Sequence, residues 1–417
     1  MIGYEDGALC TDTSSPIFLL QGSQQINLQP DLEGNLLKLI RTILPVLLMP
    51  LASQVSAALY NAKTIGQGGA GVAVGDYTTF MTNVAHLAEF DEDDDIGFSL
   101  GFGLLLQDKD DMVDLADKAA DAINDLEGSP NSTEQLELAK SSLQKLSNKT
   151  LSAKAGTGGY VAIPNSVMPA SLFVDVELKM ATSFIFDEDD LTDIDGASGG
   201  LDLDLLESEI IASAIMITEV GVAMANRVET PLPGQVNLGG AVKYQDVSLI
   251  DYREKVAAFD DGDLLDTETS DSSINLDLGA SYQHNDWLSF GLTAKNLIAK
   301  TYKSSNSDTT YKVKPQLTAG VGARYGIATI TADLQLAKNE GYGAVQETQY
   351  ASLGVNLDFW ENARLAAGFR QDLEDNDVNV MTVGIGISPW DIFGLDIAAM
   401  IGEDNAYGGI VRFTAKF

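Results

Sequence analysis

The chain closes on Tyr407-Gly-Gly-Ile-Val411-Arg-Phe413-Thr-Ala415-Lys-Phe417. Side chains on a strand alternate faces. Counting back in twos places Phe417, Ala415, Phe413, Val411, Gly409 and Tyr407 on one face, with Lys416, Thr414 and Arg412 on the other. The strand shows an apolar surface to one environment and a charged surface to another. In a soluble sheet the apolar face meets a core; in a membrane barrel it meets lipid, with an aromatic at each interface. One strand does not choose between them, so its neighbours must.

The same period of two recurs from residue 96 onward. Leu172, Val174, Val176, Leu178 and Met180 alternate with Asp175, Glu177 and Lys179, and Leu353, Val355, Leu357 and Phe359 alternate with Ser352, Gly354, Asn356 and Asp358. Fourteen such segments are expected, near 96–107, 153–164, 170–187, 209–226, 235–252, 273–284, 286–301, 311–325, 326–338, 346–358, 363–371, 377–387, 390–401 and 406–417. Their number is even, and most are long enough for a tilted membrane strand of about 9 to 11 residues. Odd-numbered connections start long (108–152, 188–208, 253–272), whereas even-numbered ones are mostly tight, such as 165–169, the turn at Gly326 and 388–389. Long loops on one side and short turns on the other are the topology of a bacterial outer-membrane barrel. The expected fold class is all-β: a transmembrane antiparallel β-barrel of about 14 strands occupying 96–417.

The first long loop breaks the pattern. Met112, Leu115, Ala119, Ala122 and Leu126 step by three and four, as do Leu136, Ala139, Leu143 and Leu146. Gly128-Ser-Pro-Asn131 separates them, and Ser132 with Gln135 offers a capping box. A helical hairpin is expected at 110–147, its apolar stripe closing on itself or on the barrel rim. Other long loops are acidic, with Asp187-Glu-Asp-Asp190, Asp193, Asp195, Asp202 and Asp204 in one and Asp260, Asp261, Asp263 and Asp266 in another. Solvated, self-repelling loops are the plain reading and weak divalent-cation binding the sharper one. No complete calcium loop exists, because Leu191 stands in the first-ligand position. No metal site is assigned.

Hydrophobic residues make up 45% of the 417 residues, so the chain is neither disordered nor a helical membrane protein. One apolar stretch stands apart. Lys38 and Arg41 precede Thr42-Ile-Leu-Pro-Val-Leu-Leu-Met-Pro-Leu-Ala52, and Val55-Ser56-Ala57 follows, the order of a secretory signal cleaved after Ala57. Residues 1–36 resemble no signal n-region, and the simplest account is a start codon assigned too far upstream. Residues 1–57 are therefore read as a leader. Its loss removes Cys10, the only cysteine, together with two of the 25 basic and five of the 61 acidic residues, leaving a net charge of −33. That balance argues against nucleic acid as a partner.

Gly66-Gln-Gly68-Gly-Ala-Gly71 matches the dinucleotide fingerprint G-x-G-x-x-G, but no hydrophobic strand precedes it and no helix follows. No cofactor is expected. Thr64 to Asp76, followed by Asn83-Val-Ala85-His-Leu87, resembles the mature N-terminus of the FadL-like outer-membrane barrel superfamily, with Val84 where proline is usual. The helical insertion and Gly158-Gly-Tyr-Val-Ala-Ile-Pro164-Asn165 resemble one branch of it, the barrel-type conjugal transfer proteins TraF. A thioredoxin-like protein also bears that label, but its C-x-x-C chemistry is excluded by the absence of a mature cysteine.

The resemblance implies that residues 58–95 fold into the barrel as a hatch, with Gly66, Gly68, Gly69, Gly71 and Asn83 as its signature. Strand parity then gives Asp175, Glu177, Lys179, Asp333, Arg364, Arg370, Asp396 and Arg412 as lumen candidates. The plainer reading of these eight is wall charges paired across strands. A final strand ending in Phe417 resembles the signal read by the barrel assembly machinery of Gram-negative bacteria. Enzyme signatures are absent, and His86 and His284 lie far apart in sequence, so no catalysis is expected. The implied role is an outer-membrane component of plasmid transfer working with a conjugation apparatus. The alternative is a conduit for small hydrophobic molecules. Either protein would sit among outer-membrane lipid.

Overall fold

The computed structural model describes residues 59–108, 110–128, 132–196, 206–258, 261–305, 307–359, 362–389, 392–403 and 405–417. The leader with Cys10, and Asp202, Asp204 and Asp260 of the acidic loops, lie outside them.

Fourteen strands close into one antiparallel barrel. They are β1 (Gly97–Gln107), β2 (Thr150–Ile163), β3 (Ala170–Ile185), β4 (Glu209–Val228), β5 (Gln235–Lys255), β6 (Thr269–Gln283) and β7 (Leu288–Lys295), then β10 (Gln316–Tyr325), β11 (Ala328–Gln335), β12 (Tyr350–Phe359), β13 (Ala363–Asp372), β14 (Val380–Ile387), β15 (Phe393–Gly402) and β16 (Ala406–Lys416). The last strand pairs with the first, Phe413 opposite Leu100, so no edge is left open. Every expected segment holds one wall strand, and the loops sort by length as expected.

The wall is inverted relative to a soluble protein. On β16, Phe413 is 53% exposed and Arg412 beside it only 3%. Val242 and Tyr244 point outward on β5 while Lys243 between them is buried. The pattern runs round the barrel, through Leu172, Val220, Leu278, Leu292, Ile330, Leu353, Met381 and Ile397, all exposed. An apolar exterior so continuous is far larger than any patch a soluble monomer leaves in water. No helix among the described residues is long and apolar enough to cross a membrane.

Two departures from the sequence reading lie in the long loops. The segments 286–301 and 311–325 are not single strands. Asn296 turns left-handed (φ 56°) after β7, and Pro315, which has no N–H to give a ladder, precedes β10. Between them β8 (Lys300–Lys303) and β9 (Thr310–Val313) form a separate hairpin. Tyr302, Tyr311 and Val313 pack on Ile215, Ile217, Val247 and Leu249, and Tyr342 and Val345 of the next long loop join them. This cluster roofs the barrel at its long-loop end. Secondly, Asp190 of the acidic loop is not solvated. It is fully buried, and its carboxylate accepts from the amides of Glu207 (2.6 Å) and Ser208 (3.0 Å).

The helical hairpin comprises α2 (Met112–Gly128) and α3 (Thr133–Leu146), after a single-turn α1 (Ala62–Ile65). Ser132 caps α3 by accepting from the Gln135 amide. Ala116, Ala119, Ile123, Leu143 and Leu146 close on one another and on Phe184, Ile210 and Tyr252 at the rim. Leu146 is fully buried there, and Leu146→Ala is expected to loosen the hairpin by ~2–5 kcal/mol. Limited proteolysis should then cut within 110–147 while the barrel keeps its electrophoretic mobility.

Candidate functional site: hatch and lumen

The described residues before β1, from 59 onward, run inside the barrel. They have little regular structure, so their backbone needs partners from the wall. Asn61, Thr64 and Gln67 start a tight coil that reverses at Gly68 and Gly69 (φ 76° and 84°). Gly68 donates its N–H to Thr382 Oγ1 (2.8 Å), and the same hydroxyl donates to the Gly66 carbonyl (3.1 Å). The amides of Gly71 and Val72 converge on one oxygen of Asp333 (2.7 and 2.9 Å). Asn83, fully buried, donates to the Val72 carbonyl (2.8 Å) and to that of Ala280 on the wall (3.0 Å). Its side-chain oxygen receives the Ala85 amide (3.2 Å), which starts a 3₁₀ turn over Val84–Ala88 without proline.

The wall makes room for this backbone with glycines on its inner face. A Cβ at Gly101 would lie 1.8 Å from the Tyr60 carbonyl oxygen, at Gly291 2.0 Å from that of Val72, and at Gly354 2.2 Å from that of Gln67. Tyr60, Tyr77, Phe80 and Leu87 complete the fit against Tyr160, Phe173 and wall alanines.

Each predicted lumen side chain faces inward, in four groups. Arg364 and Arg412 both donate to Asp396 (2.6 Å each), and their remaining N–H groups donate to the hatch carbonyls of Lys63 (3.1 Å) and Thr78 (2.9 Å). Asp333 is the hatch anchor already described. Glu177 and Lys179 pair with each other (2.8 Å) and, with Arg370, line a cavity. Asp175 is buried beside Glu219 of the next strand. Phe417 lies on the outside at the short-turn end, edge-on to Phe98 and Phe393, its carbonyl receiving the Ile96 amide (2.9 Å). Sequence reading missed Lys243, which bridges Glu219 and Asp277 (2.9 Å each), and Thr382. Their strand parity was available, since both sit between outward apolar residues.

The cavity, about 260 Å³, lies between hatch and roof. Leu59, Ile65, Val72 and Met81 form its floor, and Tyr311, Val313, Asn339 and Glu340 close it above. Six cations line it, Lys154, Lys179, Lys295, Lys312, Lys314 and Arg370, against the carboxylates of Glu177, Asp333 and Glu340. Just beyond, Asp377 in the loop after β13 accepts from Lys154 and from the Tyr350 hydroxyl (2.5 Å each). Burial alone would raise the Asp377 carboxyl, but Lys154 and Arg370 outweigh it and hold it well below the usual carboxylate range.

His86 in the hatch is buried, its Nε2 without a hydrogen-bond partner. Burial pushes its imidazole down to about 4, against the pull of Asp76. A released hatch would take up a proton near the ordinary value of about 6.5. The seated hatch is therefore fully stable above that pH and loses stability as pH falls toward 4. Protease cleavage of the hatch should rise over that window, and His86→Gln should flatten the dependence.

A family described as "F plasmid transfer operon, TraF, protein" matches residues 80–334, more than half of the chain. Solved structures similar to it include the toluene transporter TbuX of Ralstonia pickettii (14% identity, 87% of this chain and 99% of that one, TM-score 0.53). The toluene transporter TodX of P. putida (12%, 87% and 99%, 0.53) and a Pseudomonas aeruginosa FadL homologue (10%, 88% and 99%, 0.50) are also similar. At these identities the likeness is one of fold, and the fold is FadL-like. No curated protein sequence matches significantly.

Proposed function

The chain belongs to this TraF family, and from that premise we propose that it is an outer-membrane barrel whose hatched lumen is a conduit for small molecules. One observation carries the reading. A cavity is held between a hatch and a roof, in a barrel whose exterior is apolar all round. The apolar wall calls for lipid outside, and Phe417 lies where the short turns do, on the periplasmic side in this orientation. Export through the leader would deliver the chain to the outer membrane of a Gram-negative bacterium. Binding and passage, without catalysis, are the activity. Heat-modifiability in outer-membrane fractions tests the setting, since a periplasmic chain with no mobility shift between boiled and unboiled samples would sink it. Solute entry into liposomes holding the purified protein tests the conduit.

The family description supports a second reading, in which the barrel serves plasmid transfer and the α2–α3 hairpin meets the conjugation apparatus. Deleting 110–147 should then lower transfer frequency while leaving the barrel heat-modifiable. Unchanged transfer would remove the hairpin from that role.

A further inference from the structure

We propose that the cavity between hatch and roof binds a short organic carboxylate with an apolar body, gripped by Arg370. The proposal rests on the conduit reading and names the class of molecule that the conduit takes.

The chain carries a net charge of −36, yet the cavity is lined by twice as many cations as carboxylates. Local pairs account for only some of these cations. Lys179 is matched by Glu177, Lys154 by Asp377 and Lys314 by Glu340. Lys295 donates to the Met81 carbonyl (2.7 Å), and Asp333 spends one oxygen on the hatch amides. Arg370 makes no direct ion pair among the described residues, and Asp377, whose carboxylate feels its charge, is taken by Lys154 and Tyr350. Its guanidinium lies over the Tyr350 ring, 4.8 Å from the centroid, and its buried Nε has no hydrogen-bond partner. Tyr350 is itself fixed through its hydroxyl to Asp377. The fork is therefore held in place but unfilled.

A buried donor without an acceptor is costly, and so is a half-buried cation whose neighbouring carboxylate, Asp377, is already bonded to Lys154 and Tyr350. A carboxylate answers both at once, because its two oxygens match the guanidinium edge. Size limits the rest of the ligand. A cavity of about 150 Å³ holds benzene, so about 260 Å³ suits one ring or a short chain bearing a carboxylate rather than a long acyl chain. The apolar floor receives that body, and the cations around Arg370 favour its charged end.

Benzoate and toluene form a matched pair of probes, alike in size and different in charge. Calorimetry on the detergent-extracted full chain should show saturable benzoate binding at least about tenfold tighter than toluene. Arg370→Met, which keeps an apolar contact on Tyr350, should weaken benzoate about tenfold or more and leave toluene unchanged. Arg370→Lys keeps the charge without the fork and should fall between, and it carries the test should the methionine variant fail to show the heat-dependent mobility shift. Equal binding of the two probes to the wild type, or wild-type benzoate binding in the variants, would overturn the proposal. Liposome entry separates this from the conduit reading. Benzoate bound but not passed removes the conduit and keeps the site, whereas both probes passed without preference keeps the conduit and removes the site.

Discussion

Gly68→Ala is expected to unseat the hatch. Gly68 has φ 76°, where an L-residue is disfavoured by about 1–2 kcal/mol. Strain alone would shift the balance between seated and released hatch by about tenfold. Sterics add to it. A Cβ there would lie 2.7 Å from both the amide nitrogen and the carbonyl oxygen of Phe369, and 2.8 Å from the Leu353 carbonyl oxygen. Those atoms belong to β12 and β13, which cannot retreat without losing ladder bonds. Gly69 is the internal control, because its φ is 84° but a Cβ would meet nothing closer than 3.8 Å. Gly69→Ala should therefore carry the strain without the clash. In planar bilayers the order of ion conductance should be Gly68→Ala, then Gly69→Ala, then wild type. A Gly68→Ala channel as closed as the wild type would show that this coil does not seal the lumen.

How much of this was legible in the sequence follows from the physics of a barrel wall. A strand with lipid outside and polar groups inside must alternate, so Leu353 to Phe359 and Tyr407 to Phe417 announce both their structure and their facing. The parity that makes Phe413 outward makes Arg412 inward, and the lumen candidates followed from it. What parity does not supply is partnership. Asp333 and Arg370 look equivalent along their strands, yet one binds hatch amides and the other stacks on Tyr350. The Asp333 contacts join residues more than two hundred positions apart and leave no local signal. The β8–β9 hairpin escaped for a different reason. Tyr302, Tyr311 and Val313 alternate like wall residues, and only Pro315 and the turn at Asn296 separate a roof strand from a wall strand. Inner-face glycines such as Gly101, Gly291 and Gly354 were a readable signal, since a strand interior has little other use for them.

Asp396→Ala is the second large effect, and it separates barrel stability from hatch seating. Asp396 accepts from Arg412 through two nitrogens (3.0 and 2.6 Å) and from Arg364 (2.6 Å), over Gly386, where a Cβ would sit 2.4 Å from its carboxylate oxygen. All three side chains are nearly buried. Removing the carboxylate strands two guanidiniums side by side, a loss of the order of 3–5 kcal/mol for breaking a buried ion pair. The heat-mobility midpoint should fall accordingly. The same guanidiniums also hold the hatch carbonyls of Lys63 and Thr78, so conductance should rise together with the instability. Replacing the whole triad, Arg364→Met with Asp396→Leu and Arg412→Met, removes the stranded charge and is expected to restore most of the midpoint. It cannot restore the two hatch bonds. A triple variant that is stable yet more conductive than the wild type would assign the triad's second role to the hatch. A stable and closed one would leave the seating to the glycines of the wall. Asp396→Ala melting at the wild-type midpoint would mean that the two arginines find other counter-charges, against the geometry in which each already has its fork committed.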